Sequence, residues 1–362
     1  MTTRASLRRA LRHVRGIVLA QGADYVFHKR VYHDGRAHAL RAFIESTQST
    51  TGLFVDNACP ACGRAEGSSK SFENRVGFRF VTCPVDGTVY MDPVPSEEAL
   101  GALYNHPSES YSFTRGAATN ELRVVARDQA EHDAILRLMG PDSGRRRMLD
   151  VGCATGGFLI TCRSSFDVQG VELNDTTAEI ARRQGFDVLT GRLNDVPGEA
   201  TFGLITMLQL IEHVVKPSEL LADAFRLLEP GGLLYINTPN VDSASFRYLG
   251  RYHTHVSGFG HVSLFTRQAL GMLAERAGFE LLAHEYCGGR DLALHDLVTF
   301  KLARSRFAHR MALYNVRLLS LSKLVEELGG ALIPERLWPI GHESYQRVLL
   351  RRPTRRNSPG PH

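Results

Sequence analysis

Ten residues, Met148-Leu-Asp-Val-Gly-Cys-Ala-Thr-Gly-Gly157, together with Glu172, carry the most legible chemistry of this chain. An apolar run containing Asp150 opens into a glycine-bearing turn, the arrangement that lets backbone approach a nucleotide-like ligand at the mouth of a parallel sheet. Glu172 ends the next apolar run, 22 positions after Asp150, about where a second parallel strand delivers a carboxylate to a ribose. A pyrophosphate-binding loop wants Gly-x-Gly-x-x-Gly, whose middle glycine admits the phosphates. Gly152 and Gly157 fit that pattern, but Ala154 holds the middle place and Asp150 would repel a phosphate. The loop suits a nucleoside ligand with an amine and a cationic sulfur but no phosphate. S-adenosylmethionine has that composition.

The elements that must position these residues alternate along the chain. Strands are expected near 147–151, 167–172, 187–190, 203–208 and 232–238, with helical segments between them. That alternation predicts an α/β fold with a parallel sheet covered by helices on both faces. A helix from about Thr119 to Met139 leads through Gly140-Pro141 into the first of these strands. Another is expected to start at Ser96, with Glu97 and Glu98 favouring the positive end of its dipole.

The ordered motifs resemble the class I S-adenosylmethionine-dependent methyltransferases. Phe202 to Pro217, with its Glu212-His-Val-Val-Lys-Pro217 ending, resembles the family's fourth strand and continuation. Leu228-Glu-Pro-Gly-Gly232 through Thr238-Pro-Asn240 resembles its fifth, and Gly260-His-Val-Ser-Leu-Phe-Thr266 with Ala277-Gly-Phe279 the approach to its sixth. The resemblance implies a Rossmann-like seven-stranded methyltransferase sheet, mostly parallel. Phe279–Tyr286 and Ser344–Leu350 would be its last two strands, paired antiparallel. It further implies that Glu172 receives both ribose hydroxyls and Asp150 the methionine amine. Gly152, Cys153 and Ala154 would line the methionine portion, and Gly156 would permit close helix approach. Leu193 and Asn194 would flank the adenine, and Met207 to Gln209 would form the floor beneath the sulfonium.

A hydroxyl or carbon-acid acceptor would need a general base, and histidine has the suitable proton affinity. Among 15 histidines, His261 is the first candidate because its Gly-His-x-x-x-Phe-Thr segment should border the acceptor, with His213 and His255 following. In ubiquinone-biosynthesis O-methyltransferases a Glu-x-x-Glu-His pattern can bind a divalent metal. Gln209, Glu212 and His213 stand in those places here, so the loss of one carboxylate favours a structural network instead.

Cys59-Pro-Ala-Cys62 and Cys83-Pro-Val-Asp86 enclose 20 residues, the two-knuckle zinc spacing except at the last position. Zinc accepts carboxylate oxygen, so Cys59, Cys62, Cys83 and Asp86 form a candidate structural zinc site. The segment resembles the zinc ribbon that precedes the catalytic domain in some sugar C-methyltransferases. The expected organisation is a basic helical segment over 1–55, a zinc-ribbon-like module over 56–96 and the methyltransferase domain over 97–354. A helical insertion at 291–340 and a disordered tail at 355–362 complete it.

Over 362 residues the net charge is +5, with nine Lys or Arg against two Asp up to Arg41. No apolar run reaches the ~18 residues a membrane span needs. Six cysteines in a partly metal-like pattern suit a reducing, cytoplasmic setting. The expected acceptor is a small molecule such as a sugar, polyketide or quinone-like compound. An RNA acceptor is the alternative, given the basic start, but no Asn/Asp-Pro-Pro-aromatic element follows the fourth strand. A non-catalytic cofactor-binding module is a third reading. The basic insertion fits either a cap over the substrate cleft or a peripheral membrane contact. The oligomeric state is not legible.

Overall fold

In this computed structural model, short apolar runs and amphipathic helices from residue 121 onward assemble one sheet, and a smaller sheet abuts it. The structure describes residues 52–64, 70–74, 78–105, 121–140, 146–243, 246–247, 250–253, 255–256, 260–287 and 344–354. The basic segment up to residue 51, the insertion at 291–340 and the tail from 355 lie outside the described residues.

The first elements are the strands β1 (Phe54–Val55), β2 (Lys70–Glu73), β3 (Arg79–Thr82), β4 (Val89–Met91) and β5 (Val94–Pro95). Helix α1 (Glu97–Tyr104) follows, capped by Ser96, whose Oγ accepts a hydrogen bond from the Ala99 amide at 3.2 Å. Helix α2 (Glu121–Met139) then leads to β6 (Arg147–Val151), α3 (Gly157–Cys162), β7 (Asp167–Glu172), α4 (Asp175–Arg183) and β8 (Asp187–Thr190). After these come β9 (Phe202–Leu208), α5 (Pro217–Leu227) and β10 (Leu228–Pro239). The chain closes with β11 (Ser263–Leu264), α6 (Arg267–Arg276), β12 (Glu280–Cys287) and β13 (Tyr345–Arg351). Each helix start has a local cause. Asn174 accepts from the Thr177 amide at the head of α4, Thr266 accepts from the Ala269 amide at the head of α6, and Pro217 opens α5.

The large sheet has the order β12-β13-β10-β9-β6-β7-β8. Strands β6, β7, β8, β9 and β10 pair parallel, whereas β13 runs antiparallel to both neighbours. The expected seven-stranded architecture is therefore present. Strand β10 starts four residues earlier than the expected 232, because Leu228 already pairs with Phe202 before an irregularity at Leu233. The interior strands are buried along nearly their whole length, as helices on both faces require. Leu149, Ile205 and Leu234 are fully enclosed, and each such side chain contributes about 1.5–3 kcal/mol of hydrophobic stabilisation.

One buried polar knot ties α2 to the sheet. Glu131 accepts from the Tyr235 hydroxyl at 2.7 Å, from Asn237 Nδ2 at 3.2 Å and from Arg347 at 2.8 and 3.1 Å. The smaller sheet has the order β11-β4-β3-β2, so a strand from the 260s completes the sheet of the cysteine segment. Cys59, Ala61, Val81, Cys83 and Tyr90 share one buried cluster with Leu149, Ile205 and Phe265.

Candidate cofactor and acceptor site

The order of the large sheet reverses at β6, which has β7 on one side and β9 on the other. Ligands of open α/β sheets bind at such a point, outside the carboxyl ends of the strands. The three strands deliver Asp150, Glu172 and Gln209 there. Asp150 lies opposite Thr206, whose hydroxyl donates to Oδ1 at 2.7 Å. Only 3% of Asp150 is exposed. Burial raises its pKa from 3.8 to about 7, and the nearby Asp128 and Glu172 charges push the same way. The Glu172 carboxylate accepts from the Ala154 amide at 2.9 Å and the Asn174 amide at 2.8 Å. Burial raises its proton affinity while those backbone donors oppose the rise.

The turn between β6 and α3 is shaped for these contacts. Ala154 adopts φ 46°, a left-handed conformation uncommon outside glycine, and its amide thereby reaches Glu172. Gly152 and Cys153 donate their amides to Val171 O at 2.8 and 3.2 Å. Gly156 has φ 86°, and a Cβ there would meet Ala181 at 3.2 Å and Phe186 at 3.3 Å. Only glycine lets α3 start that close to α4.

The other expected cofactor residues divide by burial. Asn194 is exposed on the turn after β8, whereas the Leu193 side chain belongs to the core. Met207 is likewise fully enclosed in the core, so the rim of the crevice at β9 consists of Leu208 and Gln209. Gln209 adopts φ 55°, its amide donates to Asn237 O at 2.8 Å, and its Nε2 donates to Asn237 Oδ1 at 2.5 Å. Leu210 lies over the glycine turn, since a Cβ on Gly152 would sit 3.2 Å from its Cδ1.

Beyond Leu210 lies a cluster of histidines. The His213 and His261 rings meet edge to face at 4.7 Å, His261 and His255 stack at 5.6 Å, and His253 lies 5.0 Å from His255. His261 Nδ1 is 2.9 Å from the His255 carbonyl oxygen, which only accepts. The proton therefore sits on Nδ1, and Nε2 is the basic nitrogen. Burial holds His255 well below its ordinary proton affinity, with His253, His261 and His213 adding to the effect. Glu212 is fully buried, accepts from the Thr238 hydroxyl at 2.9 Å, and is raised to about 8 by burial. Among the described residues, its Oε1 and His255 Nε2 have no hydrogen-bond partner. Ligand atoms of Glu212, His213 and His261 lie within 4.8 Å of one another.

Sequence reasoning missed Tyr104 and Asn237. The Tyr104 hydroxyl lies 2.9 Å from His213 Nδ1, 109 positions away. No local pattern announces a contact of that separation.

The cysteine segment converges as its spacing predicts. Ligand atoms of Cys59, Cys62, Cys83 and Asp86 lie within 4.8 Å of one another. Cys62 and Cys83 sulfurs are 3.6 Å apart, and Cys59 Sγ is 3.2 Å from Asp86 Oδ2. A tetrahedral zinc with bonds of ~2.0–2.3 Å has donor–donor edges of about 3.5–3.8 Å. Burial raises the Cys59 thiol. Burial would also raise Asp86, but hydrogen bonds from Thr88 and the thiols hold it below the usual carboxylate range. The Thr266 hydroxyl donates to Asp86 O, and Arg276 Nη1 donates to Ala61 O at 2.7 Å, anchoring the cluster against α6.

Known proteins match this part of the chain. Residues 123–284 match a family described as a methyltransferase domain. The mitochondrial ubiquinone biosynthesis O-methyltransferase of Candida albicans is 35% identical over 112 residues, covering 27% of this chain and 34% of that protein. The ubiquinone biosynthesis O-methyltransferase of Bordetella avium is 31% identical over 160 residues, covering 41% of this chain and 61% of that protein. The chain thus spans about a third to three fifths of the curated relatives it matches. Among solved structures, a Thermotoga maritima protein described as an S-adenosylmethionine-dependent methyltransferase and possible histamine N-methyltransferase aligns with a TM-score of 0.45. It is 18% identical, covering 70% of this chain and 99% of its own. The sheet order, the acid at the end of β7 and the family match agree. Over residues 123–284 the chain is similar to a family described as a methyltransferase domain.

Proposed function

We propose that this protein transfers a methyl group from S-adenosylmethionine to an oxygen or carbon of a small-molecule acceptor. The observation that carries the reading is the Glu172 carboxylate, held by two backbone amides at the carboxyl end of β7. A carboxylate oxygen has two acceptor positions, so a ribose diol can share the pair with these amides. Asp150 supplies the second charge, and its proximity to Asp128 and Glu172 favours a cationic ligand group beside it. The donor set fits the cofactor.

When bound, the cofactor supplies a methyl group on a cationic sulfur, which leaves as a neutral thioether. The protein's own task is to hold donor and acceptor in line, and such orientation supplies up to ~7–11 kcal/mol in ideal cases. His261 Nε2 would take the acceptor's proton, its tautomer being set by the His255 carbonyl. His213, edge-on to His261, would border the same pocket. The matched ubiquinone biosynthesis O-methyltransferases favour a quinone-like hydroxyl acceptor; a sugar or polyketide remains within the same chemistry.

A second reading rests on Glu212, His213 and His261 lying within metal-ligand reach of each other. A divalent ion there would polarise the acceptor hydroxyl in place of a histidine base. We also assign a structural zinc to Cys59, Cys62, Cys83 and Asp86, supported by the spacing of their donors. Cytoplasmic residence is our reading of six free thiols. Among the described residues no helix is long and apolar enough to cross a membrane.

The test is an acceptor screen with a labelled methyl donor. Label should enter phenols, quinols or sugars, more slowly when chelator is present only if the metal reading holds. Incorporation confined to RNA would overturn the small-molecule reading.

A further inference from the structure

The histidines beside the crevice stand on two different supports. His213 follows β9 of the large sheet, whereas His255 and His261 flank a stretch that the small sheet holds. Strand β11 pairs antiparallel with β4, placing Ser263 opposite Tyr90 and Leu264 opposite Val89. The Met91 amide extends that ladder to Val262 O at 2.9 Å, one residue from His261. Just past β2, Asn74 Nδ2 donates to Val256 O at 3.1 Å, next to His255, while Asn74 Oδ1 accepts from the Phe78 amide at 2.9 Å. Phe80, Val89, Met91, Val256, Val262 and Leu264 share one buried apolar cluster. The large sheet reaches the same stretch through the Glu212 carbonyl, which accepts from the Val262 amide at 2.9 Å, and through Gln346, which donates to Phe265 O at 2.7 Å.

Strand β4 in turn grows out of the second cysteine knuckle. The Cys83 amide donates to Thr88 O at 2.8 Å, and the Thr88 amide donates to Asp86 Oδ1 at 2.8 Å. Side chains of α6 and its cap grip both knuckles from behind. Thr266 Oγ1 donates to Asp86 O at 2.5 Å, Gln268 Nε2 to Val85 O at 3.2 Å and Arg276 Nη1 to Ala61 O at 2.7 Å. Thr266 also accepts from the Ala269 amide at 3.0 Å, and a Cβ on Gly87 would press on its methyl at 2.9 Å. It stands two residues after β11 and five after His261. The cofactor acids have separate supports. Asp150 accepts from Thr206, and Glu172 from Ala154 and Asn174, all on the large sheet or its turns.

We propose that the Cys59, Cys62, Cys83 and Asp86 site positions the acceptor side of the crevice, and that Thr266 is the positioning residue through which it fixes His261. The inference rests on the zinc assignment and on the acceptor-side reading of His261. A short knuckle keeps its shape through its metal. When the metal leaves, the Asp86 carbonyl shifts, Thr266 and β11 follow, and His261 moves against His213. A misplacement of about 1 Å can slow transfer about 100-fold, while the cofactor stays bound.

The experiment records the His261 and His132 ring signals by nitrogen-15 NMR in the full chain, with zinc content by elemental analysis and S-adenosylhomocysteine affinity by calorimetry. His132 is the control, because it packs on α2 against Ser165, at 2.9 Å from its Oγ. Asp86→Ala removes a ligand of this site alone. Thr266→Val removes the hydroxyl, and Thr266→Ser restores it. Asp86→Ala should lose zinc, Thr266→Val should release it to a chelator about 2- to 10-fold faster, the consequence of one net hydrogen bond, and both should shift His261. His132 should stay in place, the ligand affinity should stay within about 2-fold, and Thr266→Ser should match the wild type. Zinc bound in the wild type with His261 unmoved in both variants would overturn the proposal alone. His132 shifting along with His261 in both variants would make the site a general prop of the fold and overturn it as well. A wild-type protein without zinc would remove the metal assignment and the proposal together.

Discussion

Replacing Asp150 by Asn separates what this acid does for the fold from what it does for the ligand. The amide side chain of the Asp150→Asn variant would keep an oxygen for the Thr206 hydroxyl, which donates to Asp150 Oδ1 at 2.7 Å, and would remove only the charge. In the folded protein burial lifts the Asp150 pKa from 3.8 to about 7. The folded chain therefore keeps a proton between pH 4 and 7 that the unfolded chain has already lost. Folding takes up that proton, so stability falls as pH rises through the window and levels off above pH 7. At about 1.4 kcal/mol per tenfold change in proton affinity, the loss is on the order of 4 kcal/mol. Asp128 and Glu172, also raised by burial, add slope of the same sign in both proteins, and their coupling to the Asp150 charge forms part of the difference between the two. Urea denaturation at pH 4 and pH 8.5 reads the effect. The variant should match the wild type in acid and exceed it by a few kcal/mol in base. Calorimetry at the same pH values should show wild-type affinity for S-adenosylhomocysteine rising as the carboxylate forms, and the variant binding weakly throughout. Equal pH slopes for the two proteins, or undiminished ligand affinity in the variant, would refute the argument.

Three further outcomes follow from the geometry. Glu131→Ala strands the Arg347 guanidinium, whose side chain is 16% exposed, and should cost about 3–5 kcal/mol by chemical denaturation; a loss below about 1 kcal/mol would contradict the buried pairing. Elemental analysis should find close to one zinc per chain, chelation should lower the melting temperature, and Asp86→Ala should weaken metal retention. A metal-free protein of unchanged stability would remove the zinc assignment. His261→Ala should slow turnover about 100-fold or more while leaving S-adenosylhomocysteine affinity within about 2-fold; equal loss of both would make His261 structural.

The strands were legible because both faces of the sheet are covered. Arg147–Val151, Asp167–Glu172 and Asp187–Thr190 read as bounded apolar runs and lie where expected. The acids were legible for a related reason, because strand ends fix where Asp150 and Glu172 emerge. The cysteine cluster was legible from spacing alone. Side-chain direction was not. Met207 and Leu193 occupy positions beside the crevice, yet their side chains turn into the core. Nor was the join between the two sheets, since β4 pairs with β11 across more than 170 positions. Tyr104 escaped for the same reason, because its partners Asn174 and His213 are 70 and 109 positions away. Histidine identity gave little, whereas the His255 carbonyl behind His261 gives a tautomer, on which the proposed role as base rests.

The central claim is a crevice at β6 and β7 built for an adenosyl ligand without phosphate. Titration calorimetry with S-adenosylhomocysteine and, separately, NADH tests it directly, in the wild type and in Glu172→Gln. S-adenosylhomocysteine should bind at one site, weakened at least about 10-fold by Glu172→Gln, and NADH should give no heat. Binding of NADH with no response to S-adenosylhomocysteine would contradict it.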